Sequence, residues 1–364
     1  MVSIIEQCQV APPTCAIDKL TLPLTCFDTL WILHNHHIPR ILFYKLQNID
    51  KNSFIQNIIP TLKHSLSLTL KHYLPLAGNL VCPWNSTGYP ELRYVAGDSV
   101  SVTFSETDMD FDYLVSYDHI HNAKDFHPFV PKMAEPKDAS GVQFTPVLAI
   151  QVTLFPNHGI SISCISHHVV GDESTIVGFI NSWALLNKNE GNDDHDDKFI
   201  VPFYDRSIVK DPYGLGDCIW EETKKHKKEM MSDIIVTPPD NNNNNMVRGD
   251  EGFRVATESI GEIIYKRNNG KEYVSNGEWL KEVGGASNEG RYLAIAGSPK
   301  YDLYEADFGW GKPKKWHFVF FGSGLLMSLG KSKDSNGDLE IGLYLPKTRM
   351  NAFATIFSDG LSVL

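Results

Sequence analysis

His167-His168-Val169-Val170-Gly171-Asp172 places two imidazoles and a carboxylate in one short stretch, a set able to move protons. An imidazole titrates near pH ~6.5, so at neutral pH it can take the proton of a hydroxyl that is attacking an electrophile. The H-x-x-x-D spacing of His168 and Asp172 keeps an acid close enough to orient the ring or to shape its loop. Strand alternation separates the two histidines. Counted from Ile160, it puts Ile162, Cys164, Ser166 and His168 on the more apolar face, and His167 with Ser161 and Ser163 on the other. His168 is therefore expected to point inward. Taken alone, H-x-x-x-D is a weak signal, and a core histidine hydrogen-bonded to an acid accounts for it equally simply. Cys164 could act as a covalent nucleophile near His168, but within an apolar strand it reads as a small core residue.

A second stretch, Ala306-Asp307-Phe308-Gly309-Trp310-Gly311, sets two glycines around a tryptophan, the composition of a tight loop packed closely against a neighbour. Asp307 could be catalytic; the preferred reading is that it pairs with an arginine and holds the loop. Leu33-His34-Asn35-His36-His37 invites a metal reading. No acid or thiol stands close by in sequence, so an exposed loop is the cheaper account and no metal is expected.

The elements that must position these residues follow from periodicity. Val147–Phe155 is rich in strand formers, Asn157-His158-Gly159 signals a turn, and Ile160–Ser166 is a second strand. After the loop from His167 to Asp172, Ser174–Lys188 carries Ile176, Ile180, Trp183 and Leu186 at helical spacing. Upstream, Ser53 is placed to cap a helix bearing Ile55, Ile58, Ile59, Leu62 and Leu66, with a kink or a division into two shorter helices expected at Pro60. Glu91–Val95 reads as a strand. Asn187–Lys198 is a polar linker, Lys224–Lys228 a solvated basic helix face, and Asn241–Asn245 low-complexity text that cannot supply a core. Beyond it, Phe253–Tyr265 and Met350–Phe357 read as helices, and Tyr292–Ile295, Trp316–Phe321 and Leu339–Leu345 as strands. The division expected is an N-terminal domain over 1–188, a linker or crossover over 189–248, and a second domain over 249–364.

A chain of 364 residues, 42% hydrophobic and 21% charged, is ordinary for a globular protein and long enough for two domains. No apolar run reaches the roughly 18 residues of a membrane helix. Met1–Gln9 carries Glu6 and no basic residue, unlike a secretory signal, so a cytoplasmic location is expected. The cysteines at 8, 15, 26, 82, 164 and 218 form no CxxC pair and read as reduced thiols. A net charge of −11 argues against a nucleic-acid partner. A polyanionic ligand would have to meet a local cluster of Lys and Arg.

Together, H-x-x-x-D in mid-chain and D-F-G-W-G near the C-terminus resemble the plant BAHD acyltransferases. Leu22-Pro23-Leu24-Thr25 with Phe27-Asp28, Tyr73-Leu74-Pro75-Leu76-Ala77-Gly78 and Glu340-Ile341-Gly342-Leu343 stand in the family's order. The opening text and Asp250-Glu251-Gly252-Phe253 look most like the branch that acylates glycosides of flavonoids and other phenolics. The resemblance implies an α/β fold of two chloramphenicol-acetyltransferase-like domains, mixed sheets with flanking helices, meeting along a solvent channel. The second is expected to be shortened, because 307 − 172 = 135 positions separate the two motifs, fewer than in typical relatives. It implies transfer of an acyl group from coenzyme A to a hydroxyl of a phenolic or anthocyanin glucoside, with His168 as general base and Asp172 orienting it. Asp307, Gly309, Trp310 and Gly311 would form a structural loop. Acyl-CoA, malonyl-CoA above all, would be the co-substrate of a monomer holding no tightly bound cofactor, its other partner being a small-molecule acceptor. Arg40, Lys314, Lys315 and Arg349 are candidates for the donor's free carboxylate. In the family an arginine from the stretch absent here pairs with the acid at Asp172. The rival reading is a shortened relative that binds ligand or partner without turnover.

Overall fold

Apolar strands that can be covered on both faces form the centre of the molecule. The computed structural model describes all residues except 15–16, 34–36, 119, 192–199, 213, 231–292, 322–324, 335–336 and 362–364. Its main sheet runs β1 (Val2–Val10), β6 (Val100–Thr107), β9 (Leu148–Phe155), β10 (Gly159–His167), β3 (His37–Lys45) and β12 (Lys315–Phe318), in that order. β9 and β10 form the hairpin expected around Asn157, which takes φ 66°. Every residue of both strands is buried, as suits the middle of a sheet covered on both sides.

One cover is helical. Ile160, Ile162 and Cys164 join a core with Leu62, Leu66 and Leu70 of α2 (Ile59–His72) and with Ile176, Phe179 and Trp183 of α3 (Glu173–Lys188). The other is a layer of Phe111, Phe126 and Phe129, against which Phe43, Phe155 and Ile165 pack. Strand parity thus holds to Cys164. It separates two buried faces rather than inside from outside, since Ser161 and Ser163 are buried as well.

A second sheet orders β2 (Lys19–Pro23), β5 (Glu91–Val95), β4 (Asn79–Pro83), β8 (Val142–Pro146) and β7 (Lys137–Ala139). A third holds β11 (Leu293–Ala296), β13 (Leu325–Lys331) and β14 (Leu339–Tyr344), with β11 and β13 parallel and β13 and β14 antiparallel. β12 comes from the second half of the chain yet pairs with β3, Lys315 opposite Phe43 and Phe318 opposite Arg40.

Two local expectations are corrected. The helical run before α2 starts at Lys51, and its cap is Asp50, whose carboxylate accepts the Ser53 N–H at 2.7 Å; Ser53 lies inside the run. Pro60 breaks nothing, because it sits in the first turn of α2 just after a wide π-turn over Phe54–Ile58. The wider turn accommodates the ring and the missing N–H that would otherwise kink the helix. The expected helix at Phe253–Tyr265 and the asparagine run lie outside the described residues.

Candidate active site

β10 carries its last residue, His167, into the core at 1% exposure, its ring centre 4.9 Å from that of His37 on β3 in an edge-to-face contact. Nδ1 of His167 accepts the Val169 N–H at 3.3 Å. That bond bends the chain out of the strand into a single 3₁₀ turn, His168–Val170. Val169 and Val170 are buried in the helix-side core and anchor the turn, leaving His168 half-buried at its start. Gly171 follows where a Cβ would meet the Thr175 side chain at 2.6 Å. No larger residue fits between the turn and α3.

Asp172 is the N-cap of α3. Its Oδ1 accepts the Thr175 N–H at 3.1 Å, the Ser174 hydroxyl at 2.6 Å and the Thr175 hydroxyl at 3.3 Å. Burial pushes this carboxyl up, but the bonds from Ser174 and Thr175 outweigh it and hold the group below its usual range. The acid of H-x-x-x-D therefore spends its hydrogen bonds on the helix that follows the base, fixing where the loop ends.

The His168 ring lies face to face with Trp31, centroids 3.9 Å apart and planes 3° from parallel. Trp31 belongs to α1 (Cys26–Leu33), whose start is a capping box. Asp28 accepts the N–H and the hydroxyl of Thr25, each at 2.7 Å, while the Asp28 N–H reaches back to that hydroxyl at 3.4 Å. Arg206 pairs with the same carboxylate. The Thr25-to-Asp28 stretch thus seats a helix that supplies one wall for the imidazole. Burial lowers the pKa of His168, and the charge of Arg40 adds to the effect, against weaker opposing fields from Glu173 and Asp172. A half-buried imidazole depressed in this way is neutral at pH 7, the form that can accept a proton.

Arg40, on β3 opposite Cys164 of β10, is 1% exposed. Its guanidinium pairs with Glu173 and lies 5.0 Å from the centre of the Phe318 ring. Its Nε and Nη1 are buried with no hydrogen-bond partner among the described residues. Burial pushes the Cys164 thiol up to about 11; a thiol protonated at neutral pH is no nucleophile, so the cysteine reading is set aside. Of the four cations proposed for a donor carboxylate, Arg40 is the one whose charge is felt at His168. Lys315 is buried with Nζ on the Ser116 carbonyl at 2.5 Å and 4.0 Å from the Tyr117 ring centre, and Lys314 and Arg349 are exposed.

Asp307 holds its own loop. Oδ1 accepts the N–H groups of Gly309 at 2.9 Å and Gly311 at 2.8 Å, and Oδ2 meets Lys188 Nζ at 2.7 Å. The partner is this lysine, at the end of α3, and not the arginine expected. Gly309 and Gly311 take φ 96° and 87°, a region a side chain resists. Phe308 is buried against Trp183 at 5.0 Å and Tyr44 at 5.6 Å, and Trp310 stacks on it at 5.6 Å. Asn187 donates to the Phe308 carbonyl at 2.7 Å, and Tyr44 to that of Ala306 at 2.9 Å. The loop clamps α3 to β3.

His34 and His36 lie outside the described residues, among which no group of three His, Cys, Asp or Glu side chains could hold a metal. Sequence reasoning missed Trp31, Glu173 and Lys188. The Thr-x-x-Asp spacing at 25–28 could have announced the helix that bears Trp31. Nothing local announces that Arg40 and Glu173, 133 positions apart, would pair.

The chain matches the family model described as Transferase family over residues 1–272 and 253–359. It is 47% identical to phenolic glucoside malonyltransferase 1 of Nicotiana tabacum in an alignment of 457 positions that takes in 100% of both chains. Set against 364 residues, at least 457 − 364 = 93 of those positions face no residue here. It is 34% identical to the malonyl-coenzyme:anthocyanin 5-O-glucoside-6'''-O-malonyltransferase of Salvia splendens, covering 98% of this chain and 94% of that one. Among solved structures, vinorine synthase superposes with a TM-score of 0.59 at 16% identity, covering 96% of each chain. TRI101 of F. graminearum with ethyl coenzyme A gives 0.52 at 14% identity, covering 93% of this chain and 97% of that one. These two likenesses show that the α/β mixed-sheet fold is theirs.

Proposed function

Since the chain belongs to the Transferase family, that of the BAHD acyltransferases, we propose that it is a coenzyme A-dependent O-acyltransferase. It moves a malonyl group from malonyl-CoA to a hydroxyl of a phenolic or anthocyanin glucoside. The observation that carries the reading is the half-buried ring of His168, stacked on the Trp31 indole beside a buried turn, where burial lowers its pKa. The malonyltransferase names of the most similar relatives supply the donor and the acceptor class.

An alcohol attacks a thioester slowly because its pKa lies far above 7. The imidazole of His168 takes that proton as the C–O bond forms, an effect of roughly 10²–10⁴ in rate. The thiolate of coenzyme A leaves, so no covalent acyl-enzyme is needed. Asp172 shapes the loop by capping α3, and Asp307 with Gly309, Trp310 and Gly311 forms the clamp behind it. Of the four cations considered for the malonyl carboxylate, Lys314 and Arg349 are exposed, whereas Arg40 is buried in its pair with Glu173. We place the reaction in the cytoplasm: Cys8, Cys26, Cys82, Cys164 and Cys218 are all free, as in a reducing compartment. No helix among the described residues is long and apolar enough to cross a membrane.

The test is incubation of the chain with malonyl-CoA or coumaroyl-CoA and a panel of phenolic glucosides, read by mass spectrometry. Malonylated glucoside is expected. A coumaroyl product alone would replace the donor. One observation favours a second reading, a relative that binds acyl-CoA without turnover: the 93 or more positions lost relative to the tobacco enzyme. Calorimetric binding of malonyl-CoA with no product from any glucoside would select it.

A further inference from the structure

An arginine with two buried, unmatched N–H groups is costly, because a charge removed from water needs its donors satisfied. Arg40 is in that position. It is 1% exposed, its guanidinium pairs with Glu173, and its Nε and Nη1 have no hydrogen-bond partner among the described residues. Glu173 is the first residue of α3, directly after the cap Asp172. The pair therefore ties β3, at the register position it shares with Cys164 and Phe318, to the start of α3, two residues beyond Gly171 and the turn that bears His168. The charges acting on His168 are Arg40 from β3 and Glu173 and Asp172 from the start of α3, whereas α1 presents the uncharged ring of Trp31.

We propose that Arg40 and Glu173 are a positioning pair for the proposed base: their ion pair pins the end of the loop that bears His168, and their opposite charges offset each other there. The inference rests on His168 being the base and adds what keeps it competent. Asp172 is committed to capping. Its neighbour Glu173 instead carries the tie between loop and sheet. The two charges oppose each other at His168, Arg40 favouring the neutral ring and Glu173 the protonated one. Removing either should thus move the ring's titration in opposite directions, which a merely structural brace would not do.

The experiment is a histidine-labelled NMR titration of the full chain, the His168 signal assigned by its loss in His168→Gln. Arg40→Met should shift that titration to higher pH, on the order of one unit, the scale on which a nearby charge acts. Glu173→Gln should shift it lower. Arg40→Met/Glu173→Gln should return it close to the parent, and Arg40→Lys should leave it there. Folded single variants that leave the titration unmoved, or move it the same way, overturn the proposal. Should circular dichroism show that Arg40→Met does not fold, the double variant decides. A double that titrates as far from the parent as Glu173→Gln overturns the proposal, and one that titrates with the parent supports it. Transfer assays on the same proteins separate the two claims. Parental turnover by His168→Gln would sink the base assignment alone, whereas an unmoved titration with an inactive His168→Gln would sink only the pair.

Discussion

β10 and the last described helix, α5 (Lys347–Leu361), which follows α4 (Leu215–Met230), are opposites in how the chain covers them. All nine residues of β10 are buried. None of the fifteen residues of α5 is, and Phe353, Ile356, Phe357 and Leu361 stand exposed along it. The strand lies mid-sheet between two helices and an aromatic layer, built almost wholly from the first half of the chain. The helix belongs to the half that has only the three strands β11, β13 and β14 of its own among the described residues. The alignment to the tobacco enzyme is at least 93 positions longer than this chain, and the family model matches in two pieces that meet over 253–272. The difference teaches that the strand, turn and helix around the proposed base are fully packed, whereas the last helix is left uncovered. If, as the resemblance implies, the donor channel is lined from both halves, donor binding should suffer before the geometry at His168 does.

The largest expected effect isolates the packed region. His168→Ala should lower malonyl transfer by roughly 10²–10⁴ with the melting temperature nearly unchanged. His167→Ala should do the reverse, because a buried bond to the Val169 N–H is lost, costing about 1–3 kcal/mol of stability. Equal loss of turnover from both would break the distinction.

Acid sharpens it next. Burial pushes His317 of β12 down to about 3 and lowers His168 as well. Both rings bind fewer protons folded than unfolded, so their contribution to stability is intact above pH ~6.5 and is lost as pH falls below it. The loss is about 1.4 kcal/mol per pH unit for each ring until its folded pKa is reached. Denaturant midpoints between pH 7 and 4 should fall accordingly, and less steeply in His317→Phe; a flat profile would contradict the burial of these rings.

The clamp between the halves comes third. Asp307→Ala removes the acceptor of two loop N–H groups and the partner of Lys188, and should cost about 1–3 kcal/mol. An inactive variant as stable as the parent would move Asp307 into the chemistry. Asp172→Ala, a lost N-cap, should cost about 1 kcal/mol. Complete loss of turnover without any loss of stability would give Asp172 a chemical role.

Much of this was legible in the sequence because it is local. The hairpin, the loop and α3 follow from alternation, a turn signal and helical spacing over residues 147–188, and β12, β14 and α5 fall where periodicity placed them. Sequence parity picked His168 for a reason that holds only in part: the strand stops at His167, and His168 faces Trp31 because a 3₁₀ turn takes over. The missed features are contacts between distant segments: Trp31 on His168, Glu173 on Arg40 and Lys188 on Asp307. Short-range patterns do not encode which remote side chain will arrive.

The pH dependence of kcat/KM for malonyl transfer, compared in the parent and His168→Ala, tests the central assignment most directly. A neutral imidazole with a lowered pKa predicts a parent rate that is flat through neutrality and falls only below pH ~6.5. The residual rate of His168→Ala should lack that limb. A parent rate that climbs instead toward pH 11, where the Cys164 thiol ionises, or an acid limb that survives in His168→Ala, would contradict it.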